Sequence, residues 1–404
     1  MPRSSTHPIR VLLAGATTCG LVAGLSACGG SPAAGSGDNV VVGLTASLSG
    51  GAAAFGENIK TGLEMAVDKV NESGVEIDGK KVTVTLKALD DKYVPSTAAT
   101  NAQRLADQDK AAVIFTPNAG AIKAMQQVND GRSKFLISAY TSDPAIVQSG
   151  NRLTVMTPPN FASYAQAFAK KLRADGAKKL ALLGTQSEYG QQWTKDAKAA
   201  WTEAGGTVGK DNSVDYATVS DFAGPVSKAL AEKPDAIFLG GPSQPTALIA
   251  EEARKQGFKG SFFLMDQAKL DEMGTVAKME NFRDSVGVRP VSDYQEAGTE
   301  EFLKTYTAKA GKDKVATSES ALNYSALPIF VKAMEISGTS TDPDKIREAM
   351  PEALKQTDES YDVQTPWTSI SAAGHLLSDK LDAAYYDKSG KYQPFDVPQV
   401  DDSK

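Results

Sequence analysis

The chain alternates short apolar runs with amphipathic helical stretches along most of its length, and this alternation constrains its fold more than any other feature. Buried strands are expected at 40–47, 81–90, 111–115, 134–139, 179–183, 235–239, 261–265 and 285–291. Between them, Ile59, Gly62, Leu63, Ala66, Val67 and Val70 fall on one helical stripe. Phe161, Tyr164, Ala165, Phe168, Ala169 and Leu172 form a second stripe, with Asn160 placed as its N-cap. Further helices are expected at 96–108, 119–129, 189–204, 221–232, 245–256, 296–310, 318–336 and 343–350. Roughly four strand–helix units precede Thr157 and three or four lie between Lys178 and Val291. A single doubly wound sheet does not ordinarily take so many strands, so two such domains are expected. Thr157-Pro158-Pro159 and Arg289-Pro290 suit crossings between them, because proline restrains the chain without committing it to a helix. The segment 361–368, which breaks the helical pattern, is a third.

The first forty residues are of another kind. Arg3 and Arg10 precede a run of small apolar residues from Val11 to Leu25, and no acidic residue occurs before Asp38. The run is too short and interrupted for a membrane span and reads as an export signal. It ends in Leu25-Ser26-Ala27-Cys28-Gly29, which resembles the bacterial lipobox. That resemblance implies a signal peptide over 1–27 and acylation of Cys28, a palmitate-type lipid anchor to the outer face of the cell membrane. Residues 28–38, rich in Gly, Ser, Ala and Pro, then form a flexible tether.

Loss of the leader removes Cys19, His7 and two arginines, which takes the formal net charge from −6 to −8. So acidic a chain is a poor general binder of nucleic acid or anionic membrane. With Cys28 acylated, no disulfide is available, and stability must come from core burial. His375 is the one histidine left, so a Cys–His site or a zinc cluster lacks its residues, and no Gly-x-Ser-x-Gly elbow accompanies His375. Neither a catalytic residue nor a metal or cofactor is expected. A lipid-anchored hydrolase survives as the weaker reading, through paired carboxylates that no spacing singles out.

Val41 to Asn71 (VVGLTASLSGGAAAFGENIKTGLEMAVDKVN) strongly resembles the opening of the leucine/isoleucine/valine-type periplasmic binding proteins, substrate-binding lipoproteins of ABC transporters. The likeness continues through Asp78-Gly79-Lys80, Asp90-Asp91, PSTAATNAQRL at 95–105, LISAYTSDP at 136–144, GTQSEYG at 184–190 and the strand before Asp266. It covers about residues 40 to 335 and fades beyond. It implies the type I periplasmic-binding fold, two doubly wound parallel-sheet lobes joined by three hinge crossings. Lobe 1 would comprise 39–157 plus 288–361, and lobe 2 158–287 plus 362–404. It also implies an extracytoplasmic monomer that closes on an amino acid or related small molecule and hands it to importer permeases. A ligand-sensing receptor of the same fold would need the same cleft.

In doubly wound sheets ligands sit beyond the carboxyl ends of strands, where helix starts turn backbone N–H groups towards anions. Four loops qualify. Ser49 and Phe55 lie in the first; Phe55 matches the family's cleft aromatic, though alone it reads as a core residue after a Gly-rich turn. Asn118 and Ala119 lie in the second, where the family often has a serine, and Asn118 equally suits a helix cap. Tyr140, Thr141 and Ser142 match the family's second carboxylate loop. From the other lobe, Tyr189 matches the cleft tyrosine, and Asp266 or Gln267 falls where the family places a carboxylate for the ligand ammonium. Asp266 is preferred because it carries charge. Pro242 stands where relatives often have an aromatic, so the pocket shape is expected to differ.

Overall fold

The computed structural model describes residues 38–216 and 218–400; the expected signal peptide, Cys28 and most of the tether lie outside them. The chain first lays down β1 (Asp38–Ala46), α1 (Ala53–Ser73), β2 (Val75–Ile77), β3 (Lys80–Asp90) and α2 (Pro95–Asp109). There follow β4 (Val113–Thr116), α3 (Ala119–Gln126), β5 (Leu136–Ala139), α4 (Ala145–Gln148) and β6 (Thr154–Met156). After a crossing come α5 (Phe161–Ala174), β7 (Lys179–Gly184), α6 (Glu188–Glu203), β8 (Thr207–Asp211) and α7 (Ala223–Ala231). The same lobe continues with β9 (Ala236–Gly240), α8 (Ser243–Lys255), β10 (Ser261–Leu264), α9 (Leu270–Met273) and β11 (Ser285–Gly287). The last part holds α10 (Thr299–Ala310), α11 (Ser318–Ser337), α12 (Pro343–Gln356), β12 (Ser369–Ile370), β13 (Leu376–Leu377), β14 (Asp382–Tyr386) and β15 (Tyr392–Asp396).

Two large sheets result, each anchoring a lobe, and β12 pairs with β13 in a small two-stranded sheet of its own. The first has the order β2-β3-β1-β4-β5-β6 and the second β15-β14-β11-β10-β9-β7-β8. Their central pairs are parallel; β2 on β3, and β14 and β15 beyond β11, are antiparallel edges. Strands β4, β5, β9 and β10 are buried at every residue, as parallel strands covered on both faces must be. The fold is the expected mixed α/β arrangement of two lobes built on largely parallel sheets.

Local chemistry places the covering helices. The Asn160 side chain accepts the Ala162 N–H at 2.8 Å, starting α5, and the expected stripe from Phe161 to Leu172 is buried. Helix α11 is buried nearly all round because α1 and α12 flank it against the first sheet. Its approach to α1 is close: a Cβ on Gly62 would lie 2.2 Å from the Ser320 carbonyl oxygen, which only glycine permits.

The third crossing lies later than residue 362. Val363, Trp367 and Leu376 pack in the first lobe's core, and β14 is where the chain joins the second sheet. The apolar side chains of this segment have their complement on α11 and α12, so they hold it to the first lobe. His375 is buried at the first crossing, its Nε2 3.0 Å from the Pro158 carbonyl oxygen.

Candidate ligand cleft between the lobes

Each sheet reverses its winding once, between β1 and β4 in the first lobe and between β7 and β9 in the second. Loops at the carboxyl ends of strands beside such a point are the natural place for a ligand. The loop after β7 leads into α6, where Ser187 caps the helix by accepting the Gly190 N–H at 3.1 Å. A Cβ on Gly190 would meet the Thr185 carbonyl oxygen at 2.4 Å, so glycine lets the helix start close to the strand. This sets Tyr189 on the cleft side.

Asp266 follows β10 on a loop pinned by Ser243, whose hydroxyl donates to the Gln267 carbonyl at 3.1 Å and accepts the Lys269 N–H at 3.0 Å. One carboxylate oxygen of Asp266 accepts the Tyr189 hydroxyl at 2.7 Å, and the other accepts the Trp193 indole N–H at 3.0 Å. Burial pushes the Asp266 carboxyl above the usual carboxylate range, against the opposing pull of Lys269, Tyr189 and Ser142. Burial and then the Asp266 charge hold the Tyr189 phenol well above its ordinary value, so it stays a donor.

From the first lobe, Tyr140 and Ser142 meet this group. Together with Asp266 they line a cavity of about 40 Å³ whose other walls include Tyr164, Arg289, Tyr294 and Trp367. That space holds only about three waters. The Phe55 ring stacks obliquely on Tyr140, centroids 6.2 Å apart, and both pack on the first lobe's core.

The other expected residues are engaged elsewhere. The exposed Ser49 hydroxyl donates to Asp90, tying the first loop to β3. Asn118 caps α3 by accepting the Ala121 N–H at 3.0 Å, with Ala119 the first helical residue. Thr141 is buried, its hydroxyl oxygen accepting the Asp143 N–H at 3.4 Å.

Among the described residues, two ion pairs cross the cleft. At its rim, Lys123 of α3 lies 2.8 Å from Glu188 of α6 and 3.4 Å from Asp143. Deeper, Lys269 lies 2.8 Å from Glu319 of α11, with side chains only 6% and 5% exposed. Burial pulls the Lys269 ammonium down, but Glu319 and Asp266 outweigh it and the net shift is upward. Sequence reasoning did not single out either residue. An acid in the first turn of a helix is ordinary, and only lobe closure brings the two together.

A periplasmic binding protein family model matches residues 39–391, nearly the whole described body. The chain belongs to the periplasmic binding protein family. Its lobes, crossings and cleft are those of a periplasmic binding protein, and membership implies an extracytoplasmic location. Among solved structures, the leucine binding protein LivK from Thermotoga maritima superposes with a TM-score of 0.74 at 22% identity, covering 90% of this chain and 99% of that one. LivJ from Streptococcus pneumoniae, in complex with isoleucine, gives 0.74 at 20%, covering 89% and 99%. An ABC transporter solute-binding protein from R. palustris, in complex with benzoate, gives 0.72 at 18%, covering 90% and 97%. No curated protein matches the chain significantly. Among the described residues, no helix of this periplasmic binding protein is long and apolar enough to cross a membrane.

Proposed function

We propose that this chain is the lipid-anchored solute-binding component of an ABC importer and captures an amino acid or related small polar compound by hinge closure. The convergence of Tyr140 and Ser142 from one lobe with Tyr189 and Asp266 from the other carries this reading. Asp266 is the carboxylate for the ligand ammonium, already oriented by two neutral donors, and Tyr140 and Ser142 face it from the other lobe. A charge taken from water needs such a partner, because an unpaired buried ion costs several kcal/mol. Neighbours in fold hold isoleucine in one case and benzoate in another, so the fold leaves room for more than one ligand class. Cys28 would keep the protein beside the permease subunits, outside the cytoplasm.

Calorimetric titration with amino acids, amides and aromatic acids tests the reading. An amino acid should bind and raise the melting temperature through linkage to the native state, and Asp266→Ala should abolish the effect. Unchanged binding in that variant would remove the ammonium assignment.

A further inference from the structure

Helix α6 presents two aromatic side chains to the carboxylate of Asp266. Tyr189 and Trp193 lie one turn apart on the same face of the helix. The Tyr189 hydroxyl donates to Oδ2 at 2.7 Å and the Trp193 indole N–H to Oδ1 at 3.0 Å. Trp193 is fully buried, and other rings fix its plane. It stacks on Phe238 of β9 at 21° with centroids 6.1 Å apart, and meets Phe263 of β10 at 90°. It also packs on Phe161, the first residue of α5, at 5.5 Å. A Cβ on Gly240 would lie 2.7 Å from the Phe238 ring, so glycine there keeps this platform in place. Phe161 braces Tyr189 as well, edge to face at 5.7 Å, while its own N–H donates to the Ser142 carbonyl of the first lobe at 3.0 Å. One residue therefore steadies both donors on Asp266 and the Ser142 loop that faces them.

A buried tryptophan needs a partner for its N–H, and a main-chain carbonyl is enough. Trp201, about two turns further along α6 and equally buried, uses the Lys178 carbonyl at 3.3 Å. Trp193 instead directs its N–H at a carboxylate that lines the cavity between the lobes. An indole N–H donates and carries no charge, so it orients Asp266 without neutralising it. A lysine in its place would cancel the charge that a ligand ammonium needs.

We infer that Trp193 is a positioning residue of the ligand site, holding the Asp266 carboxylate ready for a ligand ammonium. This inference rests on the reading that Asp266 receives that ammonium. It has a pH signature. Burial pushes the Asp266 carboxyl up, and Lys269, Tyr189, Ser142 and the Trp193 N–H oppose that push. The other titratable groups around it are Tyr140 and Tyr164, which burial keeps protonated, Arg289 on the cavity wall, and Glu319 beyond Lys269. Without the indole donor, Asp266 takes up its proton at higher pH, and the acid limit of ligand binding moves up with it.

The purified full chain is titrated calorimetrically with each protein amino acid. The tightest binder is then carried through Trp193→Phe, Trp201→Phe and Asp266→Ala between about pH 4 and 8. Trp193→Phe should bind it about tenfold or more weaker near neutral pH, and its affinity should fall away at a higher pH than that of the parent. Trp201→Phe, an equal loss of core aromatic surface, should follow the parent, and Asp266→Ala should not bind. A Trp193→Phe profile that matches the parent, or is weaker by a constant factor at every pH, overturns the positioning role and leaves Asp266 as the ammonium partner. Equal weakening in Trp201→Phe overturns it too. Unchanged binding by Asp266→Ala, or binding of no amino acid, removes the ammonium reading itself and this inference with it. Should Trp193→Phe not fold, the parent's Trp193 indole N–H resonance decides, assigned by elimination with Trp201→Phe and Trp367→Phe. It should shift as Asp266 titrates, and a resonance constant across the same pH range overturns the inference.

Discussion

The Lys269 ammonium lies 2.8 Å from the Glu319 carboxylate, closing a buried ion pair between the second lobe and the first. Removing one partner of such a pair costs about 3–5 kcal/mol when the other stays buried. The lobes can avoid that cost by parting and letting water reach Lys269. Glu319→Ala should therefore give a larger radius of gyration in solution X-ray scattering than the parent. The paired replacement Lys269→Met with Glu319→Leu strands no charge and should restore the compact profile. Identical profiles for parent and Glu319→Ala would mean that the pair does not hold the lobes together.

Asp271 predicts a pH dependence. Burial, reinforced by the charges of Glu319 and Glu272, raises its carboxyl to about 6, against about 3.9 in an unfolded chain. A folded-state value above the unfolded one contributes stability below pH 4, and that contribution disappears as pH rises through 6. The loss is at most about 3 kcal/mol. Asp362, also raised to about 6 by burial and by neighbouring acids, acts in the same direction. Asp271→Asn should gain stability relative to the parent as pH rises from 4 to 7, read from urea unfolding midpoints across that range. A parallel pair of curves would refute the assignment.

How much of this was legible in the sequence depends on the range of the forces involved. Strands β4, β5, β9 and β10 are short apolar runs covered on both faces, and periodicity finds such runs without tertiary information. Helix α5 announces itself through the Asn160 cap and its stripe. Strand β6 is three residues long, and β15 carries Pro394 in a largely exposed strand at the edge of its sheet, where a missing N–H is tolerated. Neither has a local signal strong enough to read. Tyr189 and Asp266 were within reach because each follows a strand end. Lys269, Glu319 and Trp193 were not, since their roles arise only when separate parts of the chain fold against one another.

The proposed anchor has a direct test. A cysteine carrying two acyl chains gives stable membrane attachment, whereas one chain holds only marginally. With Cys28→Ser, the protein should leave the washed membrane fraction and appear in the soluble fraction, as followed by immunoblotting. Membrane retention equal to that of the parent would rule out Cys28 as the attachment point.

Arg289 joins the second and third crossings, and its geometry predicts how they move. Its Nε donates to Asp293 at 2.8 Å and its Nη1 to Asp382, the first residue of β14, at 2.7 Å. Tyr294 adds its hydroxyl to Asp382 at 3.0 Å, and the guanidinium lies over the Tyr294 ring, 4.4 Å from its centroid. Only a planar fork can serve both carboxylates and the ring together. Arg289→Lys keeps the charge but satisfies one acid at a time, at a cost of about 1.5–3 kcal/mol for the lost charge-assisted hydrogen bond. The segments around Val288 and Asp382 should then exchange their amide hydrogens faster, while β9 and β10, remote from the crossings, should not. Uniformly faster exchange across the second lobe would show that Arg289 supports the fold as a whole. Acceleration confined to the two crossings would show that it stiffens the hinge.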